Sequence, residues 1–217
     1  MTNSNMERNT NVRYPGGRGA LWGMSAYLVG FVSNYALMSF YLSNLQSKVA
    51  FSTETSTFVL SELVQEVQVP VWKWASLAFY NSHFIDVIVS GLPGGLRESR
   101  QQVNLLTDSG GIFLLLLFIT PSILIISGIL ATRRASKPVE LRFDVFGTGK
   151  GRFFVNGGLT IFFGYFPLAV LGGIVTSASL DGRVVLHTDL LKSFVVAGMI
   201  YPLVFGGIGG YLRSYIN

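Results

Sequence analysis

The stretch GIFLLLLFITPSILIISGILAT, residues 111–132, contains no charged side chain and decides the fold. A helix needs roughly 20 apolar residues to cross the hydrocarbon core of a bilayer. The uncharged stretch extends back to residue 109, and three others cover residues 20–47, 153–180 and 193–212. The sequence therefore predicts an all-α integral membrane bundle with four transmembrane helices, at about residues 20–43, 110–132, 153–176 and 191–212.

Composition supports a membrane location. Half of the residues are hydrophobic and 12% are charged, against roughly 25% charged residues in ordinary soluble domains. A single membrane domain over residues 20–217, preceded by a polar arm over residues 1–19, accounts for the whole chain. The absence of cysteine excludes disulfides, thiolate metal ligands and cysteine nucleophiles. The net charge of +5 does not indicate a nucleic acid partner, because the basic residues flank apolar spans, where the lipid bilayer is the expected partner.

The charges between the spans predict the topology. Cytoplasmic loops of membrane proteins carry an excess of Lys and Arg. The arm 1–19, the connection 133–152 and the C-terminal end hold ten basic and three acidic residues, whereas residues 48–108 and 181–192 hold six basic and eight acidic residues. We therefore expect a multi-pass protein of the cell membrane with both termini in the cytoplasm.

The first external segment, residues 48–108, is too long for a simple connection. Its apolar spacing predicts a helix over residues 53–69 and a second, aromatic helix over residues 71–89. The sequence leaves open whether the second helix is interfacial, re-entrant or spanning; a fifth span would break the topology, so the first two are preferred. Its rings are expected at headgroup depth, namely those of Trp72, Trp74, Phe79, Tyr80 and Phe84.

The second predicted helix also carries a candidate polar face. It consists of Tyr80, Asn81, His83 and Asp86. His83 and Asp86 are three residues apart and would share one side of a helix. We favour the polar side of an interfacial helix, with His83 and Asp86 satisfied by water or by each other; a proton relay or a metal site with help from Glu62 or Glu66 is the alternative. The pair alone supplies too few ligands, so no metal, cofactor or catalytic residue is predicted. His187 is expected to be exposed in a short outer loop over residues 176–189.

Small residues and prolines mark the spans. The packing and kink candidates are Pro121, Pro167, Gly172, Gly173, Pro202, Gly206 and Gly207. Glycines let helix backbones approach closely, and a proline frees a carbonyl inside a helix. We interpret them as packing residues, with a transport path as the alternative. Asn34, near the middle of the first span, is expected to form a hydrogen bond between helices.

Three short motifs support a family resemblance. They are FYNSHF at residues 79–84, RGAL at residues 18–21 and YPLVFGG at residues 201–207. Together they resemble a group of small haloarchaeal multispan membrane proteins of unknown function. The resemblance implies an archaeal origin and sometimes a transporter-like label, without any assigned functional residue.

Two functional hypotheses follow. The four uncharged stretches contain no Asp, Glu, Lys, Arg or His, and such residues are usually functional where they occur in membranes. We therefore expect a non-enzymatic structural or interaction subunit, bound to a second copy or to a membrane protein partner. The alternative is a small oligomeric transporter or channel whose path runs along the third and fourth spans.

Overall fold

The computed structural model describes residues 16–52, 57–64, 69–91, 101–133, 149–180 and 184–216, which are mostly helical as predicted. The helices are α1 (Gly16–Lys48), α2 (Leu60–Val64), α3 (Val71–Asn81), α4 (Leu105–Ser109), α5 (Leu115–Thr132), α6 (Gly149–Val175), α7 (Leu190–Lys192) and α8 (Tyr201–Ile216). A 3₁₀ turn, Gly111–Leu114, leads into α5, and a π-helical segment, Ser193–Ile200, joins α7 to α8. The strands are β1 (Ala50–Ser52), β2 (Thr57–Val59), β3 (Val87–Ser90), β4 (Gln101–Val103), β5 (Ser177–Leu180) and β6 (Val184–Thr188).

Within the described ranges, three helical stretches are long and apolar enough to cross a membrane: Gly111–Thr132, Asn156–Val175 and Leu190–Ile216. They match the second, third and fourth predicted spans. Helix α1 is longer, at 33 residues, but serines, asparagines and a glutamine dilute its apolar residues, and it is not among the three.

The long helices form one bundle. Gly19 and Gly23 of α1 pack against Thr160 and Ile161 of α6, so these two helices run in the same direction. Helices α6 and α8 run in opposite directions, because positions near the start of α6 contact positions near the end of α8. Gly157 contacts Gly210 near the end of α8, whereas Phe166, later in α6, contacts Gly198 in the π-helical segment that precedes α8.

Backbone-to-backbone contact closes the interface between α6 and α8. A Cβ atom at Gly157 would lie 2.7 Å from the Gly206 carbonyl oxygen and 2.8 Å from Gly210 Cα. Backbone atoms cannot move aside as a side-chain tip does. The α5 to α8 interface is similar, with Gly128 against Gly206 and Gly209. Gly206 is thus the common contact of three helices.

This geometry gives a matched prediction. Gly157→Ala should lower the free energy of unfolding in detergent by about 1–3 kcal/mol, because the added methyl group overpacks the α6 to α8 interface. Gly17→Ala meets no atom within 4 Å and should be neutral or stabilising by up to about 1 kcal/mol through helix propensity. Thermal or denaturant unfolding of the two variants measures the difference. Equal stability of the two variants would contradict the close approach.

One of the three prolines in the long helices, Pro202, lies next to a departure from regular helix geometry. Pro202 has no N–H for the bond to the carbonyl of residue 198, and its ring crowds that carbonyl. The wider π-helical segment Ser193–Ile200 directly precedes it and gives the carbonyl room. Pro121 and Pro167 lie inside α5 and α6.

Strands from two connections pair near the end of α1. The strands from residues 48–108 and those from residues 176–189 form one antiparallel sheet in the order β4-β3-β6-β5. Val87 pairs with Val103 on one side and with Thr188 on the other. Alternate residues face inward, and Val87, Val89, Val103, Ala178 and Leu186 join Trp74 and Met38 in one apolar core. The two connections predicted to share a side of the membrane therefore do lie at the same end.

The structure corrects four expectations for this end. The chain is not all-α, because it contains the four-stranded sheet and the β1–β2 hairpin. The predicted helix 53–69 is strand β2 followed by α2, with residues 53–56 and 65–68 outside the described part. The predicted helix 71–89 ends at Asn81 and gives way to β3. The connection 176–189 is a hairpin in which His187 is half-buried. The predicted arm is described only over residues 16–19.

Candidate functional site

The aromatic helix of the external segment enters the bundle and turns there. Helix α3 has 11 residues and spans about 16 Å, too little to cross a bilayer core. Tyr80 near its end hydrogen-bonds to the carbonyl of Ala169 in α6. Ser82 hydrogen-bonds to Thr120 of α5, and its carbonyl accepts from Tyr201 of α8. These partners belong to three long helices, and β3 then leads the chain back to the sheet. Residues 71–89 therefore form a segment that enters the bundle and turns back within it (the re-entrant segment).

A left-handed residue reverses the chain at the tip. The Phe84 N–H donates to the Asn81 carbonyl, and the Ile85 N–H donates to the Tyr80 carbonyl. This pair of bonds is the Schellman termination of a helix, which needs a left-handed residue. Phe84 occupies that position with φ 57°, although glycine is the usual choice. Its ring is exposed, whereas Ile85 is buried. Because the exposed Phe84 ring cannot stabilise this conformation, contacts made by other residues of the segment must hold the tip.

His83 lies at this tip and is completely buried. Its Nδ1 is 2.7 Å from the Phe79 carbonyl oxygen, and its Nε2 is 2.7 Å from the Tyr165 hydroxyl. A carbonyl oxygen only accepts, so Nδ1 carries the proton and Nε2 accepts from Tyr165. The ring also packs 4.5 Å from that of Tyr201. Every polar atom of the imidazole therefore has an internal partner.

Burial fixes the protonation state of this histidine. Desolvation lowers the pKa of His83 to about 4, opposed by the hydrogen bond to the Phe79 carbonyl. The neutral ring is the form in which Nε2 accepts a hydrogen bond. At neutral pH the bundle thus contains an uncharged imidazole.

Tyr80 forms a second polar contact, one turn before the tip. Its hydroxyl is 2.5 Å from the Ala169 carbonyl oxygen and also hydrogen-bonds to the Tyr27 hydroxyl. Since the Tyr80 proton goes to Ala169, Tyr27 is the donor of the second bond. Burial raises the pKa of Tyr80 far above its usual value, so the phenol stays neutral. A Cβ at Gly172 would lie 2.6 Å from the Tyr80 hydroxyl, so this glycine provides the space for the pair.

Asn81 and Asp86 connect α3 to the external elements. The Asn81 amide donates to the Ile85 carbonyl at 2.6 Å, and its side-chain oxygen accepts from the Leu105 N–H at 2.8 Å. Leu105 begins α4, which Asn104 caps. Asp86 is half-buried and lies 3.4 Å from the Asn104 side-chain nitrogen. These two residues position the strand and α4 and do not belong to the histidine cluster.

The predicted polar face was wrong in its arrangement. His83 and Asp86 do not share a helix face, because α3 ends before both of them.

Of the five rings expected at headgroup depth, Trp74, Phe79 and Tyr80 are buried, while Trp72 and Phe84 are exposed. No group of three or more His, Cys, Asp or Glu side chains that fits a metal ion occurs within the described ranges. Asn34 bonds to Gly30 in its own helix, not to another helix.

Several partners of His83 lay outside the predicted site. Tyr165 and Tyr201 are polar residues near the middle of apolar spans, and Tyr27 lies closer to the start of α1. A buried tyrosine hydroxyl normally finds a partner, which was the available signal. The sequence did not show that one external histidine reaches two of these tyrosines.

Comparison with known proteins agrees with the resemblance in part. A family model described as a family of unknown function (DUF7978) matches residues 1–217. The chain belongs to the DUF7978 family. Neither the curated proteins nor the solved structures gave a match. For this DUF7978 member the haloarchaeal origin and the transporter-like label stay predictions.

Proposed function

We propose that the chain is a four-span integral membrane protein, with both termini in the cytoplasm, that acts as a non-enzymatic structural or interaction subunit. Large apolar side chains on the outside of the long helices support insertion. Phe40, Phe118 and Phe163 have exposed fractions of 81%, 69% and 63%. An apolar exterior of this extent is costly in water and suits lipid contact. Helix α1 is the first of the four spans, because it runs alongside α6 and also carries large exposed apolar side chains.

The observation that carries the non-enzymatic role is the complete internal pairing of His83. Both ring nitrogens bond to protein atoms, and the ring has no exposed surface. A general base or a proton relay needs a reacting group or water within hydrogen-bond reach. His83 instead ties the re-entrant segment to α6, and this segment leads directly into β3, so the sheet and the bundle are joined here and can together present a surface to a partner.

The transport alternative has less support. Its path would follow the third and fourth spans, yet α6 and α8 meet there through glycine backbones. A solute path between them requires the two helices to separate. In proteoliposomes we expect no proton or solute flux above that of empty vesicles. Flux that His83→Gln abolishes would overturn the structural role.

Incorporating a photo-crosslinking residue at Phe118 or Phe163 in native membranes then identifies the partner, a second copy or another membrane protein.

Labelling of single cysteines tests the topology, since the natural chain contains none. Ser179→Cys lies on the exposed face of β5, and a membrane-impermeant maleimide should label it in intact cells. Lys137→Cys, in the connection between the second and third spans, should react only after permeabilisation. The opposite pattern would contradict the proposed orientation, and labelling of both in intact cells would contradict the four-span arrangement.

A further inference from the structure

Three arginines line a cleft at the end of the bundle opposite the sheet. The cleft has a volume of about 830 Å³ and lies between the beginning of α1 and the ends of α5 and α8. Its charged lining consists of Arg18, Arg133 and Arg213. These residues come from three different helices, so the folded bundle brings together cations that are far apart in the sequence.

Within the part of the chain that the structure describes, none of the three guanidinium groups has a carboxylate partner. Arg213 is half-buried, and its Nε is buried without a hydrogen-bond partner there. A buried donor without an acceptor is costly, the more so in a charged group. An anion in the cleft would satisfy this donor and reduce the repulsion among the three cations.

The rest of the lining is apolar or weakly polar. Leu21, Trp22, Leu130 and Ala131 form most of it, with Ser25 as a hydroxyl donor. Trp22 and Leu21 are exposed and continue into the apolar outer surface of α1. The cleft thus combines a cationic part and an apolar part, which is the pattern of an amphiphile with an anionic head.

We infer that this cleft binds the phosphate group of an anionic membrane lipid. The inference rests on the proposed four-span membrane location, in which this end faces the cytoplasmic leaflet. Arginine forms paired hydrogen bonds to phosphate oxygens, and basic pockets between membrane helices on the cytoplasmic side bind anionic headgroups. The acyl chains would continue along the apolar side of α1, past Leu21 and Trp22.

Native mass spectrometry of the detergent-purified full chain tests the site. Phosphatidylglycerol and phosphatidylcholine are titrated separately, and inorganic phosphate is added as a competitor. We expect phosphatidylglycerol to bind preferentially, and Arg213→Gln and Arg133→Gln each to weaken it about fivefold. Lys48→Gln is the matched control, because Lys48 is an exposed cation at the opposite end of α1. It should bind like the unmodified chain. Thermal unfolding of each variant verifies its fold.

The outcomes distinguish a failure of the lipid site from a failure of the proposed membrane location. Unchanged phosphatidylglycerol binding in both arginine variants, or equal loss of both lipids, overturns the site. Displacement by an equal concentration of inorganic phosphate shows a site for free anions and also overturns the lipid assignment. If an arginine variant fails to fold, Arg133→Lys replaces it. This variant keeps the charge but loses the paired geometry, so it should bind phosphatidylglycerol more weakly than Lys48→Gln does. Extraction of the unmodified protein from membranes by alkaline carbonate would contradict the proposed membrane location itself.

Discussion

Replacing His83 with alanine is expected to lower the free energy of unfolding in detergent by about 3–5 kcal/mol. The imidazole is fully buried, and its removal leaves a cavity at the tip of the re-entrant segment. It also leaves the Tyr165 hydroxyl without its acceptor. The Phe79 carbonyl keeps its bond from the Ser82 hydroxyl, so the tyrosine is the larger loss. Chemical or thermal unfolding of the purified variant measures the change.

Two further variants separate the causes. His83→Phe keeps a ring in the site but cannot accept from Tyr165, so its deficit reports the hydrogen bonds and not the cavity. His187→Ala removes a half-buried histidine from β6 and should cost about 1 kcal/mol. A His83→Ala protein no less stable than His187→Ala would show that the tip is not fixed by the imidazole.

The second large effect is a loss of stability in weak acid. The unfolded pKa of histidine is near 6.5, whereas burial lowers the folded pKa of His83 to about 4. Between these values the unfolded chain binds a proton that the folded chain does not. The contribution of His83 to the free energy of unfolding is therefore complete above pH 6.5 and is lost as the pH falls toward 4. The full loss is about 3 kcal/mol, and it levels off below the folded pKa.

Comparison with a variant isolates this contribution from the carboxylates, which also titrate in weak acid. The free energy of unfolding is measured at several pH values for the unmodified chain and for His83→Gln. The slope between pH 6.5 and 4 should be shallower in His83→Gln. Parallel curves for the two proteins would show that His83 does not titrate on unfolding.

The sequence was a good guide to the long helices and a poor guide to the external segment. A run such as residues 111–132 is apolar almost throughout and carries no charge, so its helical state follows from local composition. By contrast, VIV at residues 87–89 continues the apolar pattern of α3 and is predicted from the sequence to be helical. It is a strand because β4 and β6 pair with it on both sides, and such pairing depends on residues far away in the chain.

The candidate site was predicted by residue but not by arrangement. Tyr80, Asn81 and His83 were selected for their polarity within an aromatic segment. Their partners, Ala169, Leu105 and Tyr165, come from other elements. No local pattern encodes those distances. The position of Phe84 in a left-handed conformation was equally hidden, because phenylalanine gives no signal for a positive φ.

The sequence by itself determined a mostly helical chain, the positions of three long apolar helices and the separation of basic from acidic connections. These properties follow from composition and charge along the chain, which are local. The tertiary structure decided that α3 turns back inside the bundle, that two distant connections share one sheet and that His83 is neutral and fully paired. Each of these depends on which elements pack together, since hydrogen-bond partners and desolvation are properties of neighbours in space.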